Sequence, residues 1–207
     1  MATDATVWRA TANLIAARGF SVSVPERPRS GDLTQEVEFL APLCDGAVVF
    51  GVSGGATLGL ELAAHGVGMA GAWLHEPAAG SLAPGLLAHV VEAFDTDGVP
   101  GFGSALYGPA WDPTMTSSDR TTVARELAMF RAFEPRGPMI DPATLTLTVG
   151  ELSPPRRHAS VDSLCEAFGF GRRVLLNTSH AAHLDNAFHP IVDELAPHPP
   201  TPPTPVE

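Results

Sequence analysis

A serine framed by glycines, between a strand pattern and a helix pattern, constrains the fold of this chain most. The segment Gly51-Val52-Ser53-Gly54-Gly55 follows the short apolar run 47–50, which is typical of a buried strand, and precedes a run with helical leucine spacing. A serine at such a sharp turn has a strained backbone, and the flanking glycines let strand and helix pass closely. The turn is expected to aim the Ser53 hydroxyl outward. It also puts the Gly54 N–H at a helix N-terminus, where negative charge is favoured.

The composition excludes several kinds of chemistry. The chain has 207 residues, 44% of them hydrophobic, which is enough for one sizeable core. A net charge of −11 argues against a nucleic-acid partner. Every cationic side chain is arginine, so a phosphate-loop lysine, a Schiff-base lysine and a Ser–Lys dyad are excluded. The two cysteines, Cys44 and Cys165, are far apart and are expected to be apolar packing residues.

No segment predicts a membrane span, a signal peptide or a cofactor site. Apolar runs are too short to cross a bilayer, so we expect a cytoplasmic protein that binds no membrane. No G-x-G-x-x-G follows a strand, and His180 and His183, three residues apart on a loop, make a poor metal-ligand set. We therefore expect no cofactor and no metal, and a small-molecule substrate as the partner. Homodimerisation is left open.

Strand and helix patterns alternate along the chain, which predicts an α/β fold with a doubly wound, mostly parallel sheet in three layers. One domain is expected over 1–196, and the Pro- and Thr-rich residues 197–207 are expected to be a disordered tail. The predicted strands cover 20–24, 47–50, 67–74, 143–149 and 173–176, and the predicted helices cover 5–18, 33–43, 54–65, 81–94, 157–168 and 187–195.

A long excursion, residues 79–138, interrupts this alternation and is called the insertion below. Its middle part, 95–117, is rich in Gly, Pro and Asp with scattered aromatic residues, and a further helix is expected with Ser118 as its cap. An excursion of this size between two sheet strands predicts a lid. Its aromatic side chains would line a substrate pocket or, as the equal alternative, pack onto the sheet edge.

Polar residues follow four of the predicted strands. The carboxyl ends of parallel strands share one edge of a sheet, so Ser53, Glu76, Glu151 and His180 are expected to face one crevice. A hydroxyl, an imidazole that takes its proton and a carboxylate that orients the imidazole are the groups that nucleophilic acyl transfer requires.

Five segments together resemble the α/β-hydrolase fold superfamily, over residues 8 to about 195. They are Phe20-Ser-Val-Ser-Val24, Phe50-Gly-Val-Ser-Gly-Gly55, Leu74-His-Glu-Pro77, Thr146-Leu-Thr-Val-Gly150 and Ser179-His-Ala-Ala-His183. The resemblance implies that Ser53 is the nucleophile and His180 the general base, with His183 as the alternative base. It also implies that the Gly54 N–H is one of two donors of an oxyanion hole.

The acid of the resembled family usually lies in the loop after the penultimate strand. Glu151 is in that loop and is our first choice, although Ser153 stands where an aspartate is common. Glu76, at the end of the strand that follows the nucleophile's helix, is the alternative acid. Asp162 is a third choice, because its helix is expected to point it elsewhere.

The chain begins at what resembles the family's first helix. In the family a strand and a His-Gly loop, which supplies the second oxyanion donor, precede that helix. The family's sheet order puts this strand between segments 20–24 and 47–51, and we expect these two segments to pair directly instead. A translation start placed too late, or a strand supplied by another chain, would account for the missing strand equally well.

Two functions remain open at this stage. The first is a serine hydrolase that cleaves an ester, thioester or amide of a small, mainly apolar substrate through a Ser53 acyl-enzyme. The second is a truncated or degenerate protein of the same fold that binds a ligand or partner without catalysis.

Overall fold

The computed structural model describes residues 1–184 and 186–195, and within them four parallel strands form one sheet flanked by seven α-helices. The predicted tail lies outside the described residues. The strands are β1 (Val48–Val52), β2 (Gly71–His75), β3 (Leu145–Gly150) and β4 (Gly171–Leu175). The helices are α1 (Arg9–Ala17), α2 (Leu33–Cys44), α3 (Gly54–Ala64), α4 (Ala88–Tyr107), α5 (Arg120–Arg131), α6 (Pro155–Phe168) and α7 (His189–Glu194).

The sheet confirms the predicted parallel α/β architecture. Its strands are neighbours in chain order, β1-β2-β3-β4, and all three pairings are parallel. The register sets Val52 beside His75 and His75 beside Thr148, so the strands end at one edge. The loops that follow β1, β2, β3 and β4 therefore begin at the same side of the sheet.

The core is built between the sheet and α3. Every residue of α3 from Ala56 to Ala64 is buried. The helix lies so close to β2 that a Cβ atom on Gly59 would come 2.4 Å from the side chain of Leu74. A glycine at this position therefore permits the tight packing of α3 on β2.

Residues 20–24 do not form the predicted strand. Phe20 and Val22 are half-buried and Ser21 and Ser23 are exposed, but Val24 is exposed as well, and the backbone has no regular secondary structure. The loop that follows is anchored by Arg27, whose guanidinium lies 2.8 Å from Glu36 of α2 and 2.5 Å from Glu126 of α5. Alternation reports which side chains face the protein, and does not require a neighbouring strand.

The expected pairing of segment 20–24 with segment 47–51 is therefore wrong. β1 lies at one edge of the four-stranded sheet that the described residues form. The strand predicted over 67–74 also begins later than expected, at Gly71.

The insertion is more helical than its composition predicts. Helix α4 runs from Ala88 to Tyr107 and is bent at Asp97 and Gly98, where Gly98 has φ of 60°. Pro100 lies two residues beyond Gly98, in the first turn of the second half, where a missing N–H costs nothing. The cap of α5 is Asp119, whose carboxylate accepts a hydrogen bond from the Thr122 N–H at 2.7 Å, and not Ser118.

The insertion contributes a second apolar cluster to the fold. Phe94, Phe102 and Leu106 of α4 pack there against Val123 and Leu127 of α5. None of the described helices combines the length and the apolar character that are needed to cross a membrane.

Candidate active site

The turn between β1 and α3 is as sharp as the glycines predict. Ser53 has φ of 53° and ψ of −115°, a conformation that costs energy in a residue with a side chain. A Cβ atom on Gly51 would lie 2.8 Å from the backbone N of Ala56 and from the carbonyl group of Gly55, so only glycine fits there. The Ser53 N–H donates to the His75 carbonyl at 2.8 Å, which ties this turn to the end of β2.

His180 is paired with a buried carboxylate. Its Nδ1 atom lies 2.7 Å from Oε2 of Glu76, 104 residues away along the chain, and the two residues are 6% and 0% exposed. A carboxylate only accepts, so Nδ1–H donates and the proton of the neutral ring stays on Nδ1. Nε2 is then an acceptor, and it has no hydrogen-bond partner among the described residues. This is the tautomer that a general base requires.

Glu76 has donors on both carboxylate oxygens. Oε1 accepts from the Gly150 N–H at 3.1 Å and from the Ser153 hydroxyl, while Oε2 faces His180 and lies 3.6 Å from Nε of Arg157. Burial alone would raise the pKa of Glu76, but the hydrogen bond from His180 and the positive charge around it hold the pKa well below its ordinary value. The Glu76 carboxylate is therefore ionised at neutral pH.

The structure brings Glu76 to His180, and not Glu151, our first choice. Glu151 is exposed, and its carboxylate accepts from the Asn177 N–H at 3.0 Å. The chain turns after Gly150 so that Ser153, two residues beyond Glu151, faces the site instead. Glu76 reaches inward because its backbone has φ of 48°, which is rare for glutamate and cannot be inferred from the residue type.

The third candidate acid is also remote from this pair. Asp162, on α6, forms an ion pair with Arg172 of β4. Its helix points it away, as expected.

His75 is a site residue that the sequence reasoning missed. It is fully buried, with Nε2 2.9 Å from the carbonyl oxygen of Ser179 and Nδ1 2.9 Å from the Thr148 hydroxyl. Nε2–H donates to that carbonyl and Nδ1 accepts from the hydroxyl, so the ring connects β2, β3 and the loop that carries His180. Burial lowers the pKa of His75 to about 4, so the ring is neutral at neutral pH. The sequence signal that could have identified His75 is its position at the end of a predicted strand, directly before Glu76.

His183 packs and does not face Glu76. Its ring stacks on Trp8, with centroids 5.2 Å apart, and meets the edge of Tyr107. Burial lowers the pKa of His183 to about 3. The buried, stacked ring makes it a poor alternative to His180.

The insertion lies against both halves of the site. Tyr107, at the end of α4, stacks on His180 with ring centroids 5.7 Å apart. A Cβ atom on Gly54, the first residue of α3, would come 2.8 Å from the ring of Phe130 in α5. Two aromatic side chains of the insertion thus cover the His180 ring and the start of the helix that follows Ser53.

Solved structures share this architecture over most of the chain. A pyrethroid hydrolase, PytH, matches with a TM-score of 0.63 and 14% identity, over 92% of this chain and 94% of its own. An α/β hydrolase from Sphaerobacter thermophilus matches with a TM-score of 0.59 and 22% identity, over 89% and 87% of the two chains. A structure from work on carboxylesterases of the thaumarchaeon Nitrososphaera gargenis matches with a TM-score of 0.60 and 13% identity, over 93% and 88%.

The chain has the fold of the α/β-hydrolase superfamily. No protein-family model and no curated protein sequence matches it. At these identities the α/β-hydrolase likeness concerns the fold, so any chemistry must be argued from the site itself.

The geometry can support acyl transfer by protein groups. Ser53 and Glu76 follow neighbouring strands, and His180 is in contact with Glu76. Within residues 1–184 and 186–195, no group of three or more His, Cys, Asp or Glu side chains is arranged to hold a metal ion. In this α/β-hydrolase fold, the arrangement offers a hydroxyl on a strained turn and a neutral imidazole whose Nε2 is buried and has no hydrogen-bond partner among the described residues, Ser53 included.

Proposed function

We propose that the protein is a serine hydrolase that uses Ser53 as nucleophile, His180 as general base and Glu76 as the acid that orients it. The observation that carries the proposal is the His180–Glu76 pair. The buried Glu76 carboxylate lies 2.7 Å from Nδ1 of His180 and holds the ring proton on that atom, which leaves Nε2 as an acceptor. The strained Ser53 turn, at the same edge of the sheet, supports the assignment of the nucleophile.

The proposed reaction has two halves. The Ser53 hydroxyl oxygen attacks the substrate carbonyl while Nε2 of His180 takes the hydroxyl proton, and Glu76 stabilises the imidazolium that forms. Nε2–H then protonates the leaving group as the C–O, C–S or C–N bond breaks, which leaves an acyl-serine. A water molecule, deprotonated by the same Nε2, hydrolyses the acyl-serine and restores the hydroxyl. The Gly54 N–H contributes to the stabilisation of the oxyanion.

We further propose an ester, thioester or amide of a small, mainly apolar acid as substrate, and the insertion as a lid over it. Tyr107 and Phe130 support this, because both present aromatic surface beside the site. The named activities of the structural neighbours, a pyrethroid hydrolase and carboxylesterases, are compatible with an apolar ester. A cytoplasmic location also stays a proposal.

One observation favours the non-catalytic alternative. Tyr107 covers the His180 ring, and His180 is only 6% exposed. A substrate would need the insertion to move before Nε2 is accessible. A degenerate hydrolase-fold protein that binds a partner through the insertion would have no such requirement.

A fluorophosphonate probe separates the two functions, because it labels only an activated serine. We expect the wild-type chain to be labelled and Ser53→Ala to be unlabelled. Ser104→Ala, which removes an exposed serine on α4, is the matched control and should be labelled like wild type. A well-folded wild-type chain that resists the probe would favour the non-catalytic protein.

A further inference from the structure

A buried arginine shares the carboxylate oxygen that His180 uses. Arg157, on α6, is 4% exposed, and its Nε atom lies 3.6 Å from Oε2 of Glu76. The same Oε2 atom accepts the hydrogen bond from Nδ1 of His180 at 2.7 Å. The His180 ring and a permanent cation therefore lie beside the same oxygen.

The Glu76 carboxylate does not need Arg157 to satisfy its hydrogen bonds. Oε1 has the Gly150 N–H and the Ser153 hydroxyl, and Oε2 has His180. Burying a guanidinium costs several kcal/mol, on the order of what its partner returns. The charge of Arg157 also acts on the imidazole of His180.

That effect has a definite sign. Without Arg157, an imidazolium at position 180 would face a full negative charge on Glu76. With Arg157 beside the same oxygen, it faces a carboxylate–guanidinium pair whose net charge is zero, so its protonation gains less.

We propose that Arg157 is a positioning residue that keeps His180 unprotonated at mildly acidic pH and so sets the acidic limit of the reaction. The statement about the acidic limit of the reaction rests on the proposed function, whereas the statement about the ionisation of His180 does not. Burial and the charge of Arg157 both lower the pKa of His180, whereas the hydrogen bond and charge of Glu76 raise it.

The other titratable groups around His180 are uncharged between pH 5 and 8. Burial lowers the pKa of His75 on β2 to about 4 and that of His183, in the loop that carries His180, to about 3. On α4, burial lowers the pKa of His89 to about 4 and raises the pKa of Tyr107 to about 12. In the described part of the chain, Glu76 and Arg157 are the charged groups that act on His180.

The test is a titration of the His180 ring by NMR in histidine-labelled protein, which needs no substrate. In Arg157→Gln we expect the pKa of His180 to rise by about one unit, the size typical of losing one nearby charge. Arg157→Lys, which keeps the charge, should return it most of the way to wild type. Arg156→Gln removes the exposed neighbouring arginine, which has no ion contact with Glu76, and should leave the pKa unchanged.

Activity gives a second readout on the same variants. The acidic limb of kcat/KM against pH should move upward with the pKa of His180 in Arg157→Gln, while kcat above pH 8 stays near that of wild type. A merely structural arginine would lower activity at every pH without moving the limb.

The outcomes separate the two proposals. An unchanged or lowered His180 pKa in folded Arg157→Gln overturns the role of Arg157. If that variant does not fold, the wild-type titration decides, because a His180 pKa at or above the ordinary value of about 6.5 overturns it equally. A shifted pKa in a protein that no fluorophosphonate labels would retain the electrostatic role and refute the hydrolase.

Discussion

Exchanging Glu76 for glutamine tests the assigned acid with almost no change of shape. The glutamine oxygen can still accept from the Gly150 N–H and the Ser153 hydroxyl, which hold Oε1 today. Its NH₂ group then faces Nδ1 of His180, where Oε2 accepts at 2.7 Å in the native chain. An NH₂ group only donates, so Nδ1 must become the acceptor and the ring proton moves to Nε2. The lone pair that should take the Ser53 proton is lost.

The expected loss can be placed on a scale. In the Ser-His-Asp template the corresponding carboxylate-to-amide exchange lowers kcat about 10⁴-fold, through the wrong tautomer. At 1.36 kcal/mol per factor of ten, this is about 5.5 kcal/mol of transition-state stabilisation. We expect about 10³- to 10⁴-fold for Glu76→Gln, because the native contact is short and fully buried.

Glu151→Gln is the matched control, because it makes the same exchange in the loop where an acid was first expected. Its exposed carboxylate accepts only from the Asn177 N–H among the described contacts, so activity should stay within about threefold of wild type. The assay is kcat/KM on 4-nitrophenyl butyrate, with circular dichroism to verify folding. A folded Glu76→Gln protein that keeps more than about a tenth of the activity, or a larger loss in Glu151→Gln, would refute the assignment.

Two further predictions concern stability. Gly51→Ala should destabilise the fold by roughly 1–3 kcal/mol in urea unfolding, because the added Cβ atom would lie 2.8 Å from the rigid backbone of Ala56. Gly55→Ala is the control and should cause no such loss, because its Cβ atom would meet nothing within 4 Å. Equal losses of stability in the two variants would contradict the strained-turn argument. His75 and His183 have pKa values lowered by burial to about 4 and about 3, so the unfolded chain binds more protons below pH 6.5, and stability is full above that pH and lost as pH falls. Near pH 5 each of the two histidines should lower the free energy of unfolding by about 1.4 kcal/mol for every pH unit of acidification, measured by urea unfolding at several pH values. A free energy of unfolding that stays constant from pH 7 to 5 would show that neither ring is buried in its neutral form.

The local features of the site were predictable from the sequence because local physics determines them. The Ser53 turn follows from glycine sterics within five residues, and the shared sheet edge follows from parallel pairing of strands in chain order. The choice of acid was not predictable in this way. It depends on the sign of φ at Glu76, and nothing in a glutamate's identity specifies a left-handed backbone.

The failures in secondary structure have a similar origin. Residues 20–23 have the side-chain alternation of a strand, but only the tertiary structure shows that this segment is not among the four strands of the described sheet. Helix α4 contains Gly98 and Pro100, two residue types that argue against a helix when only the composition is considered. At these positions they form one bend between two helical halves. Composition records how many such residues there are, whereas position within the turn decides what they do.

The loop after β3 explains how the proposed acid, Glu76, can come from the end of β2. Ser153 stands where an aspartate is common in the resembled family, and its hydroxyl donates to Oε1 of Glu76, with the Gly150 N–H as second donor. The two loops therefore converge on one position, and β3 supplies the donors while β2 supplies the charge. A serine here is not a missing acid, because a second carboxylate beside Oε1 would repel Glu76 and raise the pKa of one of the two. The serine that departs from the family pattern at position 153 is thus a hydrogen-bond donor that holds Oε1 of Glu76 while Oε2 faces His180.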